Sequence, residues 1–209
     1  YLDELGVRAI WLTPFNTGSV GVPEDPLAEH GVTSYHGYWP VEARTVDSRL
    51  GTSKELETLV AAAHARGIRI LMDFVANHAH ADHEYVEEHP EWFNDGCKCG
   101  TEGCNWTDEA LTCLFASYMP DIDWRNHEAS EQMIADALWW METFDLDGAR
   151  VDAVKHLHDL AVFNFATRVG EKFETAGTDY YLVGETAMGW AGDEIDENEK
   201  EWQTINDYL

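Results

Sequence analysis

Short apolar runs and longer stretches of helical spacing alternate along the chain. "VRAIWLTP" (7–14) and "IRILMDFV" (68–75) are rich in branched and aromatic residues, and each predicts a buried strand. "LDGARVDAV" (146–154) and "YYLVGET" (180–186) predict a third and a fourth. Between them, Leu56, Leu59, Val60 and Ala63 repeat at helical spacing behind a Thr52/Glu55 capping box, and Gly67 closes that helix. Met133, Ile134, Ala137, Leu138 and Met141 mark a second helix. Leu160, Phe163, Ala166 and Phe173 mark one side of a third, which a turn at Gly177 follows.

Two stretches lack such spacing. One is polar and dotted with Gly and Pro, from Asn16 to Gly51; the other, residues 76–125, holds all four Cys. Its length exceeds an ordinary loop, so it reads as a small inserted subdomain or a binding loop. "YLDELG" reads as the last turn of a helix capped by Gly6 whose beginning is missing, and "TINDYL" stops without a terminal element. The chain is therefore expected to be a fragment.

Strand and helix in alternation predict an α/β fold with a parallel sheet and right-handed crossovers. An open doubly wound sheet and a (β/α)8 barrel both satisfy that order. No Gly-x-Gly-x-x-Gly follows any strand, which removes support for the dinucleotide-binding form of the open sheet. Polar residues instead gather where strands end: Thr13; Asp73 with Asn77 and His78; Arg150 with Asp152; Glu185. Barrel active sites are assembled from several strand ends, so the pattern favours half a barrel.

Composition adds a constraint on partners. The 209 residues carry a net charge of −27, which repels nucleic acid and anionic membranes. Such acidity suits a protein in high salt, a cation binder, or simply a well-solvated surface. No apolar run approaches the ~20 residues of a membrane helix. With 44% hydrophobic residues and nine Trp, the chain reads as well packed rather than disordered.

The densest chemistry lies in "DGARVDAVKH" (147–156). Asp152 and Glu185 end consecutive strands; if those strands pair, their carboxyl groups approach the ~5–5.5 Å spacing of retaining glycosidases. Arg150 would keep Asp152 ionised as the nucleophile, and Glu185, with no adjacent cation, would serve as acid/base. A structural Arg–Asp pair beside an unrelated Glu fits the spacing equally well.

Five segments then carry a resemblance. "SYHGYWP" (34–40), "DFVANH" (73–78), "MPDID" (119–123), "DGARVDAVKH" and "GET" (184–186) resemble, in order and spacing, motifs of the α-amylase family of glycoside hydrolases. The resemblance implies a partial (β/α)8 barrel, strands 2–5 of the parent, in residues 1–75 and 126–209, with domain B inserted at 76–125. It implies Asp152 as nucleophile, Glu185 as acid/base and Arg150 beside them. His78 would bind the cleaved sugar, over a platform of Tyr38 with His36 and Trp39 near it. Lys155 and His156 would touch the sugar on the leaving-group side. A structural Ca²⁺ would take Asn77, Asp123 and the His156 carbonyl. The family's third carboxylate would lie beyond residue 209, so this stretch alone is expected to be inactive. Ala149 stands where relatives usually carry Phe or Leu.

The expected substrate is an α-1,4-glucan such as starch. A transglycosylase, an α-glucosidase or a non-catalytic amylase-like binding protein would share the same motifs. Cys97, Cys99, Cys104 and Cys113 permit three disulfide pairings or one zinc site; two disulfides fit an extracellular or periplasmic enzyme, with a cytoplasmic one as the alternative. "NWT" (105–107) is a glycosylation sequon. The His-rich run 77–89 lacks His-Glu-x-x-His and reads as a turn, against a metal-hydrolase reading. Bond preference, product length and oligomeric state have no sequence signal.

Overall fold

The computed structural model describes residues 1–20, 33–174 and 179–186. Gly177 lies outside them. The elements run β1 (Ala9–Leu12), α1 (Ser53–His64), β2 (Arg69–Phe74), α2 (Glu84–Glu88), α3 (His127–Phe144), β3 (Gly148–Val151), α4 (Asp159–Phe173) and β4 (Tyr181–Gly184). All four strands are parallel and lie in the order of the chain, β1-β2-β3-β4.

Alternation along the strands gives the sheet two unlike faces. Ile70, Met72 and Phe74 of β2 and Ala149 and Val151 of β3 join one core with α1, α3 and α4. Asp73 and Arg150, the intervening positions, point to the opposite face, where Asp152 follows. The helices thus cover one side, and the charged residues line the other.

The helices begin and end as their sequences require. Thr52 and Glu55 form the reciprocal capping box at α1. At the far end Ile68 N–H reaches Ala63 O and Gly67 N–H reaches His64 O, a closure that uses the positive φ of Gly67 (68°). The same pair of bonds, Val7 to Leu2 and Gly6 to Asp3, ends the turn at Gly6. Asn126 caps α3 through Glu128 and Ala129 N–H. Asp147, just before β3, binds His64 (2.7 Å), Arg69 and the Ile70 N–H (2.7 Å), and so joins α1, β2 and β3 at their lower ends.

Two expectations need correction. Among the described strands β1 lies at one end of the sheet with alternate residues exposed, Trp11 at 52%, where the sequence predicts burial. A short apolar run reports a strand but not its place in the sheet. On α4, Leu160 and Phe163 point outward, while Ala161, Val162, Phe165 and Val169 face the core. That helix carries two apolar stripes, and spacing alone cannot rank them. Leu59 of α1 is also exposed, although Leu56, Val60 and Ala63 are buried as expected.

Residues 76–125 contain little regular structure. They fold back on the sheet through an antiparallel bridge between His78 and Asp121, with Ile122 N–H on Asn77 O and Ala79 N–H on Pro120 O. Two disulfides, Cys97–Cys104 and Cys99–Cys113, pin the far part. The four sulfurs are paired with one another, which settles the pairing that sequence left open.

Candidate active site

β3 and β4 are neighbours, with Val151 opposite Gly184, so Asp152 and Glu185 leave the sheet side by side. Glu185 N–H donates to Val151 O (2.8 Å), and Val154 N–H donates to Glu185 O (2.9 Å). The second bond depends on Ala153, whose left-handed backbone (φ 53°) turns the chain into a short 3-10 turn, Val154–His156. Gly148 at the start of β3 (φ 154°) meets β4 so closely that a Cβ would lie 1.9 Å from Tyr181 O. Only glycine permits that approach.

Arg150 holds three carboxylates at once. Its Nη1 donates to Asp73 (2.7 Å) and Asp152 (2.6 Å), and its Nη2 reaches Glu185 (2.7 Å). The expectation that Glu185 lacks a nearby cation is therefore wrong, because the guanidinium fork spans both strand ends. Exposure separates the two carboxylates instead: the Asp152 side chain is 11% exposed and that of Glu185 47%. Burial pushes Asp152 up to about 7, against Arg150 and with help from Asp73 and Glu185. This too reverses the sequence argument, which weighed the cation and not the desolvation or the competing carboxylates.

Around this cluster, Tyr38 donates its hydroxyl to Asp73 (2.6 Å), and Trp11 Nε1 donates to the same carboxylate (3.0 Å). The Arg150 guanidinium lies 4.9 Å from the Trp11 ring centre, a cation–π distance. Sequence spacing did not single out Trp11; the pairing of β1 with β2 brings it here. His36 stacks on Tyr38 (5.8 Å) and meets Trp39 edge-on (4.7 Å). Trp39 is buried against Met119.

His78 is buried, and its Nε2 donates to the Tyr38 carbonyl (3.0 Å), while Nδ1 has no partner. Burial lowers it to about 4, so it is neutral near pH 7. It thereby fixes Tyr38 rather than presenting a charge. His156, likewise lowered to about 4 by burial, donates Nδ1 to Ala110 O (2.7 Å), and Lys155 beside it is half-buried.

The residues expected to hold a metal have the following surroundings. Asn77 is 1% exposed, and its amide faces the Asp121 carboxylate without reaching hydrogen-bond geometry. Asn77 Oδ1 and Asp121 Oδ1 both lack a partner. Asp123, the residue expected from the motif, is bound by Arg125 (2.7 Å). Among the described residues no group of three His, Cys, Asp or Glu side chains is arranged to hold a metal ion.

The family model for the α-amylase catalytic domain matches residues 1–188. The chain belongs to the α-amylase family. Among curated relatives of this amylase-family chain, an intracellular maltogenic amylase of Bacillus subtilis is 29% identical over 93% of the chain. A cyclomaltodextrin glucanotransferase of Geobacillus stearothermophilus is 30% identical over 90% of it. The crystal structure of an α-amylase from Geobacillus thermoleovorans, complexed with acarbose, superimposes with a TM-score of 0.74 at 31% identity, over 92% of this chain and 39% of that one. The chain spans about a third of the length of these curated relatives (32% and 30%).

Proposed function

We propose that this chain carries the nucleophile and the acid/base of a retaining α-glucan hydrolase. The observation behind the reading is the pair Asp152 and Glu185 at adjacent strand ends, joined by Arg150. Neighbouring strands run about 4.8 Å apart. That suits the ~5–5.5 Å carboxyl spacing of double displacement better than the ~6.5–9.5 Å that leaves room for a water in single displacement. Asp152 attacks the anomeric carbon while Glu185 gives its proton to the leaving glycosidic oxygen. Water then cleaves the glycosyl ester, Glu185 takes the water's proton, and Asp152 leaves as a carboxylate. Tyr38 and His78 serve the cleaved sugar, and Lys155 and His156 the leaving-group side. In this reading residues 1–75 and 126–209 form strands 2–5 of a catalytic barrel, and residues 76–125 form domain B.

The test uses the full-length protein on a soluble α-glucan. Asp152→Ala and Glu185→Gln should each remove nearly all kcat, and azide should partly restore Asp152→Gly. A variant retaining activity within about tenfold of wild type would refute these roles. The likeness to a glucanotransferase favours transglycosylation as the second reading. Product analysis at high acceptor concentration separates the two, since both share the glycosyl-enzyme.

A Ca²⁺ ion fits beside the site. Asn77 Oδ1 and Asp121 Oδ1, buried oxygens without partners, are hard donors of the kind this ion takes, and the family resemblance implies the His156 carbonyl as a third. Bound there, it would offset the Asp121 charge and tie the end of β2 to the irregular segment. Two disulfides in a chain of this size support an exported enzyme. Thiol labelling of the protein taken from its native cells should find all four cysteines blocked; free thiols would place it in a reducing compartment.

A further inference from the structure

We infer that Trp106 is a sugar-stacking platform that extends the cleft beyond His156, an assignment resting on the α-glucan reading above. Trp106 is 46% exposed, yet its indole is held among other rings. It lies 5.6 Å from Phe115 and meets His156 edge-on at 5.8 Å. His156 follows Asp152 on the same short turn and meets Phe115 at 4.6 Å; Phe115 in turn lies 5.2 Å from His78. A line of rings therefore runs from His78, which holds the Tyr38 carbonyl, through Phe115 and His156 to Trp106.

The loop around Trp106 is built to keep it in place. Gly100 has a positive φ of 79°, and a Cβ there would lie 2.7 Å from the indole nitrogen. Asn105 accepts hydrogen bonds from Thr107 N–H (2.8 Å) and Asp108 N–H (2.6 Å), which fixes the backbone on either side of Trp106. Both disulfides close within this loop. The buried residues Cys99, Cys104 and Cys113 pack against Phe115. A large ring held in one position and left half open offers apolar area to the C–H face of a pyranose at little ordering cost. The ligand class is a neutral α-glucan long enough to pass from Glu185 over His156.

The experiment is calorimetric titration of maltoheptaose and maltotriose into the full-length protein carrying Glu185→Gln, with and without Trp106→Ala. Trp106→Ala should weaken maltoheptaose binding about twofold to tenfold and leave maltotriose nearly unchanged. Trp106→Phe should restore most of the loss. Equal maltoheptaose affinity in the Trp106→Ala protein overturns the inference even if the wild type hydrolyses starch. Trp106-dependent binding by a wild type that fails to hydrolyse starch keeps the inference and overturns the catalytic reading. An equal loss for both sugars also overturns it, since that would mark a general disturbance of the cleft.

Discussion

Asp152 shares one guanidinium with Asp73 and Glu185, and this crowding has a measurable consequence. Burial pushes its carboxyl up to about 7, whereas an unfolded Asp titrates near about 3.9. As pH rises, the unfolded chain gives up this proton first, so the residue is neutral in its effect below about pH 4. Stability then falls between about pH 4 and about pH 7 and stays lowered above, by on the order of a few kcal/mol. Asp152→Asn escapes that loss, and Arg150 keeps two carboxylates. We expect the variant to melt above wild type at pH 8 and level with it at pH 4. Parallel melting curves across that range would show that another group titrates. Nothing in "ARVDA" announces this balance. The motif displays the cation next to Asp152, but the competing charges come from β2 and β4, and their approach is set by strand pairing.

At the scale of elements, helix ends were the most readable part. Thr52, Glu55 and Gly67 act within a few residues of themselves, so local spacing suffices. What depends on distant neighbours was not readable: the end position of β1 among the described strands, the inward stripe of α4, and Trp11 beside Arg150. The buried Asp136 of α3 belongs to the same class, since its partners Arg44 and Tyr85 come from an irregular segment and from α2. The return of "MPDID" onto "NHA" through the antiparallel bridge at His78–Asp121 brings Asp121 beside Asn77, whereas Asp123 is held by Arg125. The metal reading is tested on this junction. Millimolar Ca²⁺ should raise the melting temperature of the full-length protein and a chelator lower it, by mass action on the folded state. Asp121→Asn should abolish the difference while Asp123→Asn keeps most of it. Identical melts with ion and with chelator would dismiss the site.

For the whole molecule, charge outweighs any single pair. With 40 acidic against 13 basic residues, self-repulsion across the surface is screened only as salt rises. The full-length protein is expected to melt higher in molar KCl than in low salt, and an unchanged or lower melting point would leave the acidity as a matter of solubility. The α/β class and the parallel sheet were readable from the alternation of elements. The pairing of β3 with β4, on which the candidate site rests, was readable only as a condition.

That sheet has its strands in space in the order of the chain. Among the described strands, each adds to an edge already present, and none is inserted between two earlier ones. The chain can therefore be laid down progressively as it leaves the ribosome. Both disulfides close within residues 97–113, ahead of β3 in synthesis order, so oxidation needs no cysteine that has yet to emerge. Asp152 and Glu185 meet when β4 docks on β3.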